Sequence, residues 1–319
     1  MTKKISETFV VLLIVCVLSL GFWKALERTL EDFFFWQITK TFQTPEVQVY
    51  PLLTTSLLKP SRNWKIPELK IKSNTAISVE IDSKIPKKVL FKKNIDQRLP
   101  IASLTKLMTA CIVLENYDLS QTVAISQTAV EQEGESGNLK KGEMFAVKDL
   151  LSVMLMESSN DAAWALTEIM GEKKFVGLMN SRAKKIGLKD THFVNSTGLD
   201  LEEFAAFPNY SSAEDLVELA KYLLKEPLIW EILSTPELDI YGSGGLYYHQ
   251  VLNTNKLLGK IPGIVGGKTG WTAQAQGCFL LVLKNPNSNK FLINVILGSE
   301  DRFGEMEKLI DWVYQAYKW

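Results

Sequence analysis

The sequence predicts a single α+β domain built on one sheet, because strand-like segments lie at both ends of a helical block. Residues 76–82 (AISVEID) alternate apolar and polar side chains as a strand does, and residues 88–93 (KVLFKK) predict a second strand after a turn. Strand patterns return after residue 235, at residues 266–272, 278–283 and 291–297. Strands at both ends of a helical middle favour one sheet with helices packed on it.

The helical block runs from residue 103 to about residue 233. Its periodicity predicts helices at residues 104–115, 147–156, 161–170, 172–186 and 213–224, and an amphipathic helix at 304–317 closes the chain. The first of these helices is apolar almost all round, so we expect it to be buried.

The composition is that of a globular protein and excludes several function classes. Of 319 residues, 46% are hydrophobic, and 36 Lys and Arg balance 36 Asp and Glu, so no net charge attracts nucleic acid. Three cysteines (Cys16, Cys111, Cys278) are too few and too scattered for a disulfide framework or a zinc site. We expect Cys111 and Cys278 to be small buried hydrophobes, and His192 and His249 to be structural or surface residues.

Residues 9–23 (FVVLLIVCVLSLGFW) form an uncharged apolar run of fifteen residues, with Lys3 and Lys4 before it and Lys24 after it. Three interpretations are open: a cleaved signal peptide, an uncleaved signal anchor and a buried core helix. The position behind two lysines makes the core helix the least favoured. The same lysines predict a cytoplasmic N-terminus, with the chain after Lys24 outside the membrane.

We divide the chain into three parts: residues 1–24 as the signal anchor or signal peptide, 25–74 as a juxtamembrane segment and linker, and 75–319 as the folded domain. In the second part, residues 33–36 (FFFW) suit a membrane interface or a short packed helix. Residues 41–74 hold four prolines among many Thr and Ser, which predicts an extended linker.

Ser103 and Lys106 are three residues apart at the start of the first predicted helix, so they lie on one face. A lysine in a water-poor site loses proton affinity and can act as a base, and Ser with a Lys base is a nucleophile pair that needs no histidine. The pattern S-x-x-K also occurs by chance in many helices.

Two further short motifs are ambiguous when taken alone. In Ser158-Ser159-Asn160, either serine could simply cap the next helix, or a hydroxyl and an amide could both point into a cleft. In Lys268-Thr269-Gly270, the alternatives are a plain hairpin with a solvent-facing lysine and a site that offers a cation and a hydroxyl to a carboxylate. A phosphate loop fails on spacing and context.

The three motifs in this order resemble those of the low-molecular-mass penicillin-binding proteins, the serine-type D-alanyl-D-alanine carboxypeptidases. The likeness extends from about residue 76 to the C-terminus and includes the blocks LPIASLTKLMTA, SSNDAA, FVNSTGLD, YSSAEDL, NTNKLL and GGKTGWTAQAQG. It implies a β-lactamase/transpeptidase-like fold: an antiparallel sheet flanked by helices, plus an all-α subdomain. It also implies that residues 75–319 are a penicillin-binding D,D-peptidase domain.

The resemblance assigns the chemistry to four residues. Ser103 would be the acylated nucleophile and Lys106 its general base. Ser158 would relay protons to the leaving amine, and Asn160 would bind the backbone of the substrate. No metal and no other cofactor is implied.

The resemblance assigns substrate binding to the strand that carries Lys268, Thr269, Gly270 and Trp271. Lys268 would tune the electrostatics, and Thr269 would hold the terminal carboxylate. The backbone N–H groups of Ser103 and Trp271 would form the oxyanion hole. The substrate would add as a strand to the edge of the sheet.

The implied activity is removal of the terminal D-Ala from peptidoglycan stem peptides, with β-lactams as covalent inhibitors. The alternatives are a D,D-endopeptidase of the same family and a non-catalytic penicillin-binding sensor or scaffold. The sequence departs from the family pattern at Asn209, where many members have His. A carboxylate-binding arginine is expected near the last helix, and Arg302 is the nearest candidate.

Overall fold

A computed structural model of the chain describes residues 60–82, 87–134, 138–200, 208–242, 245, 247–285 and 290–319. The predicted signal segment and residues 25–59 lie outside these ranges, so the three interpretations of the apolar run stay open. None of the helices in the described ranges is both long enough and apolar enough to cross a membrane.

The secondary structure follows the predicted order. The strands are β1 (Ser61–Arg62), β2 (Thr75–Ile81), β3 (Lys88–Lys93), β4 (Leu99–Pro100), β5 (Thr122–Ala124), β6 (Met144–Ala146), β7 (Tyr210–Ser211), β8 (Glu237–Tyr241), β9 (Tyr247–Leu252), β10 (Ile264–Thr272), β11 (Gln276–Lys284), β12 (Phe291–Ser299) and β13 (Tyr317–Lys318). The helices are α1 (Thr105–Asn116), α2 (Gln127–Val130), α3 (Val147–Met156), α4 (Asn160–Glu168), α5 (Glu172–Ile186), α6 (Ala213–Leu223), α7 (Pro227–Ser234) and α8 (Arg302–Ala316).

The central sheet has five antiparallel strands in the order β10-β11-β12-β2-β3, which confirms the predicted fold class. The sheet joins the two ends of the domain, since β2 from the N-terminal side pairs with β12 from the C-terminal side. Strand β10 lies at the edge of the sheet and carries the Lys268-Thr269-Gly270 motif. An edge strand leaves alternate backbone N–H and C=O groups available to another chain.

Apolar side chains cover both faces of the sheet, because alternate residues of each strand point to opposite sides. On β11, Leu280 and Val282 join the larger cluster, which also holds the buried side chains of α1, α3 and α6. Phe279 and Leu281 join the second cluster, with Met306 and other residues of α8. The sheet is therefore sandwiched between a helical block and the C-terminal helix.

Helix α1 is the centre of the helical block. Every residue from Thr105 to Val113 is buried, as its apolar pattern predicts. A 3₁₀ turn, Ala102–Leu104, leads into the helix, so the start of α1 is held against the edge of the sheet. This placement brings Ser103 beside the Lys268-Thr269-Gly270 strand.

Residues 60–74, which the sequence analysis assigned to the linker, pack on the C-terminal end of the chain. Strand β1 pairs with β13, and the side chains of Ile66, Leu69 and Ile71 contact the second cluster. Two of the four prolines of residues 41–74, Pro60 and Pro67, lie in this segment, the arm, which pairs with β13 and contacts α8.

Candidate active site

The turn that carries Ser103 is fitted between two glycines. Ala102 has a positive φ of 47°, which is uncommon for a residue with a side chain. A Cβ atom on Gly198 would lie 2.1 Å from the carbonyl oxygen of Ala102, and one on Gly270 would lie 3.0 Å from the backbone nitrogen of Ser103. Only glycines allow these two segments to approach the Ser103 backbone so closely.

Lys106 is fully buried, and its Nζ lies among three oxygen atoms. It is 2.9 Å from Ser103 Oγ, 2.7 Å from Asn160 Oδ1 and 2.7 Å from the carbonyl oxygen of Thr197. A neutral amine can donate to the two carbonyl-type oxygens and direct its lone pair at the serine hydroxyl. Burial disfavours the charged form of a lysine. The arrangement therefore suits a base for Ser103.

Ser158 and Ser159 have separate roles at the start of α4. Ser159 is the N-cap, and its Oγ accepts from the backbone nitrogen of Ala162 at 3.1 Å, so the cap interpretation holds for this serine. Ser158 has a positive φ of 67°, and its side chain lines the cleft. Its Oγ accepts a hydrogen bond of 2.9 Å from Nζ of Lys268.

Lys268 is fully buried within strand β10, which contradicts the interpretation of a solvent-facing hairpin lysine. It also donates to the carbonyl oxygen of Thr269 at 3.0 Å. The site thus contains two serine–lysine pairs, Ser103 with Lys106 and Ser158 with Lys268, contributed by three segments of the chain.

Asn160 joins the two walls of the site. Its Oδ1 accepts from Lys106, and its Nδ2 donates to the carbonyl oxygen of Glu133 at 2.8 Å. The side chain is only 5% exposed, and this amide holds both the lysine amine and the backbone at Glu133.

The strand side of the cleft supplies hydroxyl groups and an arginine. Thr269 Oγ1 donates to Thr254 Oγ1 at 2.7 Å, and both residues line the cleft. Arg302, the expected candidate, also lines the cleft, and its Nη1 donates to the carbonyl oxygen of Gly270 at 2.8 Å. Trp271 is 62% exposed at the mouth.

The cleft has a volume of about 740 Å³ and opens along the edge of the sheet. The structure brings together all eight residues that the sequence predicted for the site, and their individual roles stay predictions. Sequence reasoning missed the carbonyl of Thr197, the carbonyl of Glu133 and the hydroxyl of Thr254. Backbone carbonyls leave no signal in a sequence, and Thr254 was seen only as part of the NTNKLL block.

The described cysteines and histidines are not among the predicted site residues. Cys111 and Cys278 are buried as predicted, and burial raises the pKa of each thiol to about 12, so both are protonated at neutral pH. His249 Nε2 lies 3.2 Å from Glu157 Oε2, and the ring of His192 packs near Tyr210. Within the described part of the chain, no three His, Cys, Asp or Glu residues are grouped closely enough to hold a metal ion.

The site places a serine hydroxyl beside a buried lysine amine, and comparisons with known proteins show the family of the chain. A model of the D-alanyl-D-alanine carboxypeptidase family matches residues 62–301. The D-alanyl-D-alanine carboxypeptidase DacF of Bacillus subtilis is 34% identical over 261 residues, 79% of this chain and 64% of DacF. The D-alanyl-D-alanine endopeptidase of Escherichia coli is 31% identical over 272 residues, 82% of this chain and 84% of that protein.

A solved structure of penicillin-binding protein D2 from Listeria monocytogenes, in the ampicillin-bound form, has a TM-score of 0.65. It is 31% identical and covers 78% of this chain and 100% of that one. This chain belongs to the D-alanyl-D-alanine carboxypeptidase family, which confirms the resemblance predicted from its motifs. It spans just under two thirds of the length of DacF.

Proposed function

We propose that the protein is a serine D,D-carboxypeptidase that removes the C-terminal D-Ala from peptidoglycan stem peptides through an acyl-enzyme on Ser103. The observation that carries this proposal is the fully buried Lys106 amine, 2.9 Å from Ser103 Oγ and held by two further oxygen atoms. A base that is fixed and largely free of water can take the serine proton as the hydroxyl attacks.

In the acylation step, Ser103 Oγ attacks the carbonyl carbon of the penultimate D-Ala, and its proton passes to Lys106. The backbone N–H groups of Ser103 and Trp271 receive the developing oxyanion. The C–N bond then breaks, and the leaving amine takes a proton from the Ser158 hydroxyl. Ser158 is reprotonated from the Lys106 ammonium, and its bond to Lys268 keeps its hydroxyl in the cleft.

In the deacylation step, a water molecule attacks the ester carbonyl of the acyl-enzyme. Lys106 takes the proton of this water, and the proton returns to Ser103 Oγ as the ester bond breaks. The product carboxylic acid releases the second proton of the water to the solvent and leaves as a carboxylate, and the lysine is neutral again.

The terminal carboxylate of the substrate would meet the side of the cleft formed by Thr269, Thr254 and Arg302. Hydroxyl groups and a guanidinium are suitable donors to a carboxylate, and Arg302 is already held beside the strand by Gly270. The substrate backbone would extend along the free edge of β10, which supports binding by strand addition.

A labelled penicillin tests the nucleophile. The full-length protein should form a covalent adduct that peptide mapping places on Ser103, and Ser103→Ala should form none. The ampicillin-bound relative supports the choice of probe. Labelling of Ser103→Ala at the wild-type rate would contradict the assignment.

A second candidate is D,D-endopeptidase activity on cross-linked peptides, favoured by the similarity to the Escherichia coli endopeptidase. Mass spectrometry of the products from a pentapeptide and from cross-linked muropeptides separates the two activities. A sensor or scaffold would bind penicillin covalently but release no D-Ala.

We further propose that the chain is held at the cell membrane by its N-terminal segment, with the catalytic domain outside. The apolar run at residues 9–23 and its flanking lysines support this proposal. Cell fractionation with protease accessibility tests it, and recovery of the full-length chain from the cytosol would contradict it.

A further inference from the structure

We propose that Asn209 is a positioning residue for Lys106. It acts through the segment of residues 194–198, whose Thr197 carbonyl oxygen holds the lysine amine. The inference rests on the proposed function, because it assumes that Lys106 is the base. Asn209 is 2% exposed and directly precedes β7 in the chain.

The Asn209 side chain joins the 194–198 segment to helix α1. Its Oδ1 accepts from the backbone nitrogens of Val194, at 2.6 Å, and Asn195, at 3.1 Å. Its Nδ2 donates to the carbonyl oxygen of Asn195 and to Thr105 Oγ1, both at 3.0 Å. Thr105 directly precedes Lys106. The Asn209 amide therefore connects helix α1, which carries Lys106, with the segment that supplies the Thr197 carbonyl.

A second amide carries this constraint to the Thr197 carbonyl. Asn195 Oδ1 accepts from the backbone nitrogens of Gly198, at 2.7 Å, and Thr197, at 3.2 Å. The peptide between Thr197 and Gly198 is thereby fixed on its nitrogen side. Its carbonyl oxygen then points at Nζ of Lys106, at 2.7 Å.

An amide side chain suits this position because its neighbours include both hydrogen-bond donors, the backbone nitrogens of Val194 and Asn195, and acceptors, the Asn195 carbonyl and the Thr105 hydroxyl. Aspartate would retain the acceptors for Val194 and Asn195 but lose both N–H donors, and leucine would lose all of them. A displaced Thr197 carbonyl would let the Lys106 amine turn away from Ser103. Small displacements of a catalytic group can cost on the order of 100-fold in rate.

The test compares Asn209→Asp and Thr105→Val with a matched control, Asn180→Asp. Thr105→Val removes only the hydroxyl that meets Asn209. Asn180 holds the same segment one residue earlier: its Oδ1 accepts from Phe193 nitrogen at 2.9 Å, and its Nδ2 donates to Phe193 oxygen at 2.8 Å. Asn180→Asp thus also loses its N–H donors, which meet the carbonyls of Val176 and Phe193, but it has no link to the Thr197 carbonyl.

For each full-length variant, labelled penicillin gives the fraction of protein that is acylated, the maximal acylation rate constant and the concentration at half-saturation. We expect Asn209→Asp to lower the rate constant by about 10- to 100-fold, with the acylated fraction and half-saturation unchanged. Thr105→Val should cause a smaller fall. Asn180→Asp should stay within about twofold of wild type, and its melting temperature shows whether the segment was loosened.

A wild-type rate constant for Asn209→Asp and Thr105→Val overturns the inference, as does an equal fall in Asn180→Asp. A loss only of the acylated fraction would mean that Asn209 merely supports folding, and would also overturn it. If Asn209→Asp does not fold, Thr105→Val decides the question. Failure of the wild-type protein to be acylated would instead overturn the proposed function.

Discussion

The chemistry of individual residues in this cleft is set by what surrounds them. Lys106 and Lys268 are both fully buried, and each lies 2.9 Å from a serine hydroxyl, yet their other partners differ. Lys106 is held by oxygen atoms from Asn160 and Thr197, whereas Lys268 donates to the carbonyl of its own neighbour. This geometry supports the proposal that Lys106 is the base and that Lys268 has a supporting role.

Replacing Lys106 by Arg keeps the positive charge but removes the ability to accept a proton, because arginine stays protonated in proteins. Acylation by penicillin should slow by roughly 100- to 10,000-fold, the range of general-base assistance. Stopped-flow or time-course labelling measures the rate. The exposed Lys141→Arg serves as the control, and Lys106→Met, which lacks the amine, should slow acylation as strongly. Normal acylation by both Lys106 variants would assign the base to another group.

Asp161 carries a buried carboxylate that accepts no hydrogen bond from another residue in the described part of the chain, and burial raises its pKa to about 6. The folded protein therefore binds more protons at this site than the unfolded chain between about pH 4 and pH 6. The free energy of unfolding decreases as pH rises through this window, and the full penalty applies above it.

Asp161→Asn should remove this penalty and raise the free energy of unfolding at pH 8 by about 2 kcal/mol, a figure reduced by the loss of a negative charge in the first turn of α4. Near pH 4 the difference should vanish. Urea unfolding at both pH values measures it, with the exposed Asp311→Asn as the control. An equal gain at pH 4 and pH 8 would rule out titration of Asp161 as the cause.

At the scale of elements, the helices with clear end signals were predicted closely. Helix α5 begins after Gly171 and ends at Ile186, before Gly187, which has a left-handed φ of 91°, and the sequence predicted the same bounds, 172–186. Helix α7 was not predicted separately, because its eight residues give too short a pattern. The β8–β9 hairpin was also missed, since its outward side chains are of mixed character.

The site was predictable where side chains carry the chemistry and not where the backbone does. The three motifs contain the serines and lysines that the structure brings together, and helical spacing places Ser103 beside Lys106. The contact between Lys106 and the Thr197 carbonyl spans 91 residues of sequence, and no local pattern encodes it. Asn209 was noticed only as a departure from the family pattern.

A substitution at Gly198 tests whether the 194–198 segment must approach the Ala102–Leu104 turn closely. An alanine there would combine a φ of 87° with a Cβ 2.1 Å from the Ala102 carbonyl oxygen, so the backbone must move. Gly198→Ala should lower the acylation rate by 100-fold or more, on the order expected for a misplaced catalytic group. Gly187→Ala is the matched control, since its φ of 91° gives similar backbone strain with no atom within 4 Å. Equal acylation by the two variants would show that the approach is not needed.

At the scale of the whole molecule, helix α8 connects the cleft with the arm at residues 60–74. Arg302 at its N-terminus lines the cleft, and Ala316 at its C-terminus lies beside β1. A helix of 15 residues separates its two ends by about 20 Å. The second apolar cluster, beneath α8, includes side chains from both the sheet and the arm. The part of the arm around Arg62 therefore contacts the end of α8 that is far from the cleft, whereas the backbone nitrogens of Lys72 and Ser73 donate to Glu305 in the first turn of α8.

A substitution at Arg62 tests whether this end of the arm affects stability without affecting the cleft. Its side chain is 10% exposed, donates to the Ile66 carbonyl at 2.8 Å and lies over the Trp312 ring, 4.8 Å from the centroid. Arg62→Ala should lower the free energy of unfolding by about 2 kcal/mol, the range for a charged hydrogen bond with a cation–π contact. The acylation rate constant should not change, because the contacts of Arg62 lie at residues 63–68 and 312–317, away from the cleft lining. Thermal unfolding and penicillin labelling of the same preparation measure both quantities, and the exposed Lys65→Ala should alter neither. A lowered rate constant in folded Arg62→Ala would mean that α8 transmits the state of the arm to Arg302.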